Sequence, residues 1–421
     1  MADSSGLRPS VPLMGVEEEH FLVDPLTREV VPYAGDVVRK AAEDLGDLVS
    51  RELGRYQVET RTPPCGSFEE LHGELRRSRT AVAAAAETMG ARTAAVGAVP
   101  LGTPIPMPVS DGPRCAEQLR DYRGLVDEHV ICATHVHVSV PDRERAVLVG
   151  NHLRPWLPHL IALSANSPFF CGRDTGYASW RRMMWQRWPV SGPPPYFASY
   201  DEYENLLTAL TDSRTLPDRR TLFWDVRLSS RYPTIEVRAA DVPVTAEESA
   251  LLAVLVRALT ITALRAVERG DPGPEPSAEL LRAACWRAAR DGLRGETMDP
   301  RTGRLSPADG QVPSLLRHIG PALEETGDRE TAVALLRRLT AVGTGADRQR
   351  AVHARRGSLL DVVDALVAQS PAVGLRRPRA AGPAAPAFRT GSVRSPGSGV
   401  GDDGDGAARV MDGGMGDGSQ V

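Results

Sequence analysis

One stretch constrains this chain more than any other. Residues 15–24 read Gly-Val-Glu-Glu-Glu-His-Phe-Leu-Val-Asp. In a strand, successive side chains point to opposite faces. Glu17 and Glu19 therefore share one face with Phe21 and Val23, while Glu18 and His20 take the other. Two carboxylates ~4 Å apart repel by about 1 kcal/mol in water and several times that away from water. A hard cation such as Mg²⁺, which takes oxygen ligands, would relieve the repulsion. A solvated acidic edge strand that deters edge pairing would account for the same residues.

Three more stretches repeat the pattern. A strand expected at 55–62 puts Gln57, Glu59 and Arg61 on one face, and a β-branched, alternating strand at 131–140 does the same with His135 and His137. Strands at 222–229 and 232–239, joined around Ser230 and Arg231, read as a hairpin carrying Glu236 and Arg238 on one face. A single polar pair two residues apart is noise. Four of them point to one charged concave surface, because buried charge is costly unless it is paired or on a metal. Carboxylates from separate strands, mixed with arginines, suit Mg²⁺ bridged to nucleotide phosphates. His135 and His137 leave open a transition metal on two imidazoles, or plain hydrogen-bonded strand histidines.

Helices are expected between the strands, at 35–49, 67–89, 114–129, 143–164, 200–212, 246–268, 277–291, 312–325, 329–341 and 346–368. Ser67 with Glu70, and Thr245 with Glu248, have capping-box spacing. The fold class is α+β, a curved, mostly antiparallel sheet with the helices packed on its convex side. The helix at 246–268 is apolar nearly all round, so it should be buried, and it leaves a homodimer open. Residues 166–198 form an unusually long loop rich in Gly, Pro, Arg and Trp, the kind of segment that serves as a lid or binding loop. Within it Arg173 and Arg182 are candidate anion clamps.

Composition narrows the function classes. The net charge of −4 speaks against bulk attraction to nucleic acid or membrane, and against base stacking by the Arg/Trp loop. Five widely spaced cysteines without a CxxC favour a reducing compartment. The start lacks a signal-peptide pattern, and no apolar run approaches the roughly 18–20 residues of a membrane span, so a cytoplasmic protein is expected. There is no Walker A sequence, no GxGxxG after a strand, no HExxH and no GxSxG elbow. Residues 1–370 read as the catalytic domain. Residues 371–421 are rich in Pro, Gly, Ala, Ser and Asp and are expected to be disordered.

Taken together, residues 15–20, 57–65, 134–139, 172–195 and 235–243 resemble the bacterial carboxylate–amine ligase family, the type 2 glutamate–cysteine ligases, over about 12–368. The resemblance implies a glutamine-synthetase-like catalytic fold. It implies ATP-dependent joining of a carboxylate, typically the γ-carboxyl of glutamate, to an amine, typically that of cysteine, with release of ADP and phosphate. It matches Glu17, Glu19, Glu59 and Glu236 to Mg²⁺ carboxylates, with Glu52 as a further one, and His135 to a position near the nucleotide phosphates. Arg238 matches a phosphate- or substrate-binding arginine. Arg238 and Arg173, with Glu236, form the expected catalytic set, and His137 and Arg182 join His135 at the nucleotide. The partners expected are small molecules. The alternatives are a phosphotransferase acting on a nitrogen from the same sheet, and a nucleotide-binding protein that turns nothing over.

Overall fold

The computed structural model describes residues 11–369, so the expected tail at 371–421 lies outside the described residues. Seven strands form one sheet: β1 (Met14–Val23), β2 (Val49–Arg51), β3 (Gln57–Arg61), β4 (Arg92–Ala94), β5 (Ala133–Ser139), β6 (Val226–Leu228) and β7 (Thr234–Asp241). Their order is β6-β7-β5-β1-β3-β2, with β4 pairing the far end of β1, and every pairing is antiparallel. The acidic stretch thus forms an interior strand, paired on both sides, which removes the edge-strand reading. The outermost strands, β2 and β6, do not pair with each other, so the sheet stays open.

Six helices matter for the site: α1 (Ala34–Leu45), α2 (Phe68–Thr88), α3 (Arg143–Leu153), α4 (Leu157–Ser164), α5 (Trp180–Trp185) and α6 (Ala246–Glu268). The alternation decides which face they cover. Val16, Val136, Val138, Ile235 and Val237 all point away from the acidic face into one core with Leu153, Leu160, Leu251 and Leu255 from α3, α4 and α6. Burying each such side chain fully is worth about 1.5–3 kcal/mol. Glu18 sits on this apolar side. Arg79 of α2 grips it through two bonds, Nε to Oε2 at 2.9 Å and Nη2 to Oε1 at 2.6 Å. The same guanidinium donates to the carbonyls of Pro243 and Val244 and to Ser249 Oγ of α6. Burial opposes the charge on Glu18, but Arg79 and His20 hold its carboxyl well below the usual range. One ion pair therefore ties two helices to the central strand.

Several element boundaries differ from expectation. The helix expected to 49 ends at Leu45, because Gly46 adopts φ 59° and the chain turns into β2, which its sequence did not announce. The helix expected over 143–164 is divided between α3 and α4 by a 3₁₀ turn at Arg154–Trp156, where Pro155 lacks an N–H. The helix expected at 346–368 divides at Gly357, which is left-handed at φ 68°. The long loop contains α5, capped by Ser179. Thr245 and Glu248 do form a reciprocal capping box on α6. That helix is, against the sequence expectation, long and apolar enough to cross a membrane, but 72% of its apolar window is buried inside the protein. It packs as core of this chain.

Candidate active site

The opposite face of the sheet carries the polar side chains in cross-strand rows. Glu19 stands opposite Glu59, and Glu59 opposite Ser50. Glu17 lies between Arg61 on β3 and His135 on β5. Glu236 lies between His137 and Arg227. Residues 17, 19, 52, 59, 135, 137, 227, 236 and 238 all line one cavity of about 450 Å³, whose walls include Arg114, Arg181, Trp185, Trp188 and Tyr232.

Two electrostatic halves result. In one, Arg227 grips Glu236 through Nε to Oε2 at 2.9 Å and Nη2 to Oε1 at 3.1 Å, and Arg238 binds Glu236 Oε1 from the other side. Burial works against the charge of Glu236, yet these two arginines hold its carboxyl well below the usual range. Glu17 Oε2 meets His135 Nδ1 at 3.1 Å, and its Oε1 lies 3.5 Å from His137 Nε2. Those contacts outweigh burial and lower the Glu17 carboxyl too. Burial, then the charge of Arg238, pushes His135 down to about 4, so it is neutral. His137 goes the other way, because Glu236 and Glu17 outweigh its burial.

In the other half the carboxylates repel. Burial, then the charge of Glu52, pushes Glu19 up to about 8, although Ala133 N–H donates to its Oε2 at 2.8 Å. Burial and then Glu17 and Glu52 raise Glu59 well above its ordinary value, despite Arg61 Nη1 at 2.8 Å. Glu52 is raised by burial.

These residues fit divalent cations. Glu19, Glu52 and Glu59 each offer an oxygen, with the three atoms within 4.8 Å of one another; Glu17, His135 and Glu236 form a second set of the same tightness. Three acids driven toward the neutral form by burial and mutual repulsion are ligands that a hard cation would ionise. The close set around His135 contains Glu17 and Glu236 rather than His137.

Three expected residues are placed elsewhere. Gln57 is buried and donates to the carbonyl of Ile131, instead of joining the charged surface. Arg182 does not line the cavity: its guanidinium is fully buried on Asp225, because α5 turns that side chain into the protein. Arg173 is exposed in a two-residue strand and rests on the Trp180 ring, also off the cavity wall. The loop arginine that does reach the wall is Arg181, which the sequence reading passed over. Arg61, which the strand alternation groups with Glu59, does line the cavity, and Arg227 joins it as a further site residue, facing Glu236 across the hairpin.

The family described as glutamate–cysteine ligase family 2 matches residues 13–365. A Nocardia farcinica protein named "Putative glutamate–cysteine ligase 2-1" is 46% identical over 339 residues, 80% of this chain and 88% of its own. One of the same name from Saccharopolyspora erythraea is 43% identical over 357 residues, covering 85% and 94%. Among solved structures, the glutamate–cysteine ligase of Francisella tularensis in complex with AMP is similar with a TM-score of 0.65 at 12% identity, over 86% of this chain and 88% of that one. The expected ligase fold, glutamine-synthetase-like and α+β, is thus the observed one.

Proposed function

Because the chain belongs to glutamate–cysteine ligase family 2, and is thereby a carboxylate–amine ligase, we propose that it uses ATP to join the γ-carboxyl of glutamate to the amine of cysteine. The observation that carries this reading is the pair of carboxylate-rich sets, Glu19/Glu52/Glu59 and Glu17/His135/Glu236, on one cavity floor flanked by Arg227 and Arg238. Mg²⁺ bound to those sets would neutralise the phosphate oxygens of ATP. The AMP held by the Francisella tularensis ligase supports a nucleotide site on this fold.

The chain's own residues would act by position and charge. A carboxylate oxygen of glutamate attacks the γ-phosphorus and ADP leaves. The amine nitrogen then attacks the acyl carbon of the acyl phosphate, phosphate leaves, and the nitrogen gives up a proton. Arg238 and Arg227 present positive charge to the oxygens of the phosphoryl group in both steps, preorganised by Glu236 between them. The ring wall of Trp185, Trp188 and Tyr232 limits the water that would hydrolyse the acyl phosphate. A cytoplasmic setting supplies both ATP and reduced cysteine.

The test is ADP release from Mg·ATP with glutamate and cysteine, each also omitted in turn. Glu236→Gln is expected to abolish the release that requires both substrates. Near-normal turnover in that variant would refute the assignment, and ADP formation that needs no amine would select the phosphotransferase instead.

A further inference from the structure

The long Arg/Trp loop contributes Arg181 to the cavity wall, and this side chain is 0% exposed. Among the described residues, the three largest fully buried side chains are Arg181, Arg182 and Arg257. Arg182 and Arg257 are each hydrogen-bonded to a carboxylate, Asp225 and Asp328. Arg181 is not. Its nearest carboxylate oxygen is Asp241 Oδ1 at 3.9 Å, and Asp241 is taken by the Ser167 and Ser179 hydroxyls at 2.7 Å each and by the Asn166 N–H at 2.8 Å. Arg181 instead directs its fork at main chain: Nη2 donates to the Arg238 carbonyl at 3.2 Å and Nη1 to the Ala239 carbonyl at 3.5 Å.

Those two carbonyls belong to one irregularity. The register of β7 against β5 shifts between Val237 and Ala240, leaving residues 238 and 239 outside the ladder. Such bulges re-aim neighbouring side chains, and they recur beside active sites. On the other edge the Arg238 N–H donates to the Asp225 carbonyl at 2.7 Å. The two guanidiniums also share one ring: the Cζ atoms of Arg181 and Arg238 lie 5.5 and 5.6 Å from the centre of Trp185, which is fixed by its own N–H on the Phe223 carbonyl at 3.1 Å.

We propose that Arg181 is a positioning residue for Arg238: it holds the β7 bulge through the Arg238 and Ala239 carbonyls and so sets where the Arg238 guanidinium stands in the cavity. This rests on the reading that Arg238 meets the transferring phosphoryl group. Lysine would keep the buried charge opposite Asp241 but has a point charge in place of a planar fork, so it cannot hold two carbonyls in the same geometry.

The experiment is a double-mutant cycle between Arg181→Lys and Arg238→Met in the full chain, read as ADP release from Mg·ATP with glutamate and cysteine. Arg181→Lys alone should lower kcat by about 10–100-fold, the scale of a displacement near 1 Å at a reacting group, with the KM for glutamate and for cysteine little changed. In the Arg238→Met background the same change should cost nothing further, because Arg238 is the group through which Arg181 acts. Where Arg238→Met turns over too slowly to follow, calorimetric affinity for Mg²⁺ with a non-hydrolysable ATP analogue, which keeps the γ-phosphoryl group, closes the same cycle. An equal loss in both backgrounds overturns the proposal, whether it comes from direct substrate contact, shown by a raised glutamate KM, or from a general loss of fold, shown by melting. So does an Arg181→Lys enzyme of normal kcat. If Arg238→Met itself turns over normally, it is the role of Arg238 that fails.

Discussion

Replacing Glu19 by Gln should make the metal-free protein more stable and, at the same time, disable its response to Mg²⁺. Glu19 has its carboxyl raised to about 8 from an ordinary value of 4.5, by burial and then by the charge of Glu52. A folded value above the unfolded one gives stability that is fully present below about 4.5 and is lost as pH rises through about 8. Between pH 4.5 and 7.5 the unfolded chain releases this proton while the folded chain largely keeps it, and about three units at about 1.4 kcal/mol each put the stability lost by pH 7.5 at about 4 kcal/mol. Gln keeps the shape and an oxygen for the Ala133 N–H at 2.8 Å but carries no charge. Urea unfolding in EDTA at pH 7.5 should therefore show Glu19→Gln more stable than wild type by roughly 2–4 kcal/mol, with the gain fading below pH 5. Adding MgCl₂ should stabilise wild type, because a cation that binds only the folded state shifts the equilibrium, and should do little to the variant. A Glu19→Gln protein that is less stable than wild type in EDTA, or one that gains as much from Mg²⁺, would refute the idea that three repelling carboxylates form a cation site.

Two further outcomes follow from the packing. Arg79→Met removes the partner of Glu18, which is 0% exposed, and breaking a buried pair in this way should cost about 3–5 kcal/mol in urea unfolding; a loss below 1 kcal/mol would show that Glu18 finds another partner. His159, on α4, is lowered by burial to about 4 from 6.5. Its folded value lies below the unfolded one, so its contribution is present above about 6.5 and lost as pH falls to 4, by roughly 3 kcal/mol over the window. His159→Phe should flatten the stability–pH curve between those values, and an unchanged curve would count against it.

Much of the site was legible because strand geometry is local. The period of two puts Glu17 with Glu19, His135 with His137 and Glu236 with Arg238 on one face whatever the strands do next. It equally sends Val16, Val136 and Ile235 to the other face, where the apolar helices must lie. Capping spacings placed the starts of α2 and α6 for the same reason: the groups that satisfy a helix's first N–H groups are within four residues of it.

What periodicity could not reach is what depends on which strands become neighbours. That Glu19 faces Glu59, and that both meet Glu52 from the chain leaving β2, is a property of the order β5-β1-β3-β2. Glu52 came only from family resemblance, since it stands on no predicted strand. In the loop at 166–198 nothing repeats, so residues 173, 181 and 182 were equivalent arginines until α5 turned Arg182 toward Asp225 and Arg181 toward the bulge of β7. The chemical groups and the face each occupies were therefore written in the chain. Which groups meet, and with which charges nearby, came from tertiary packing, because repulsion, desolvation and ion pairing act through space across segments that the sequence leaves far apart.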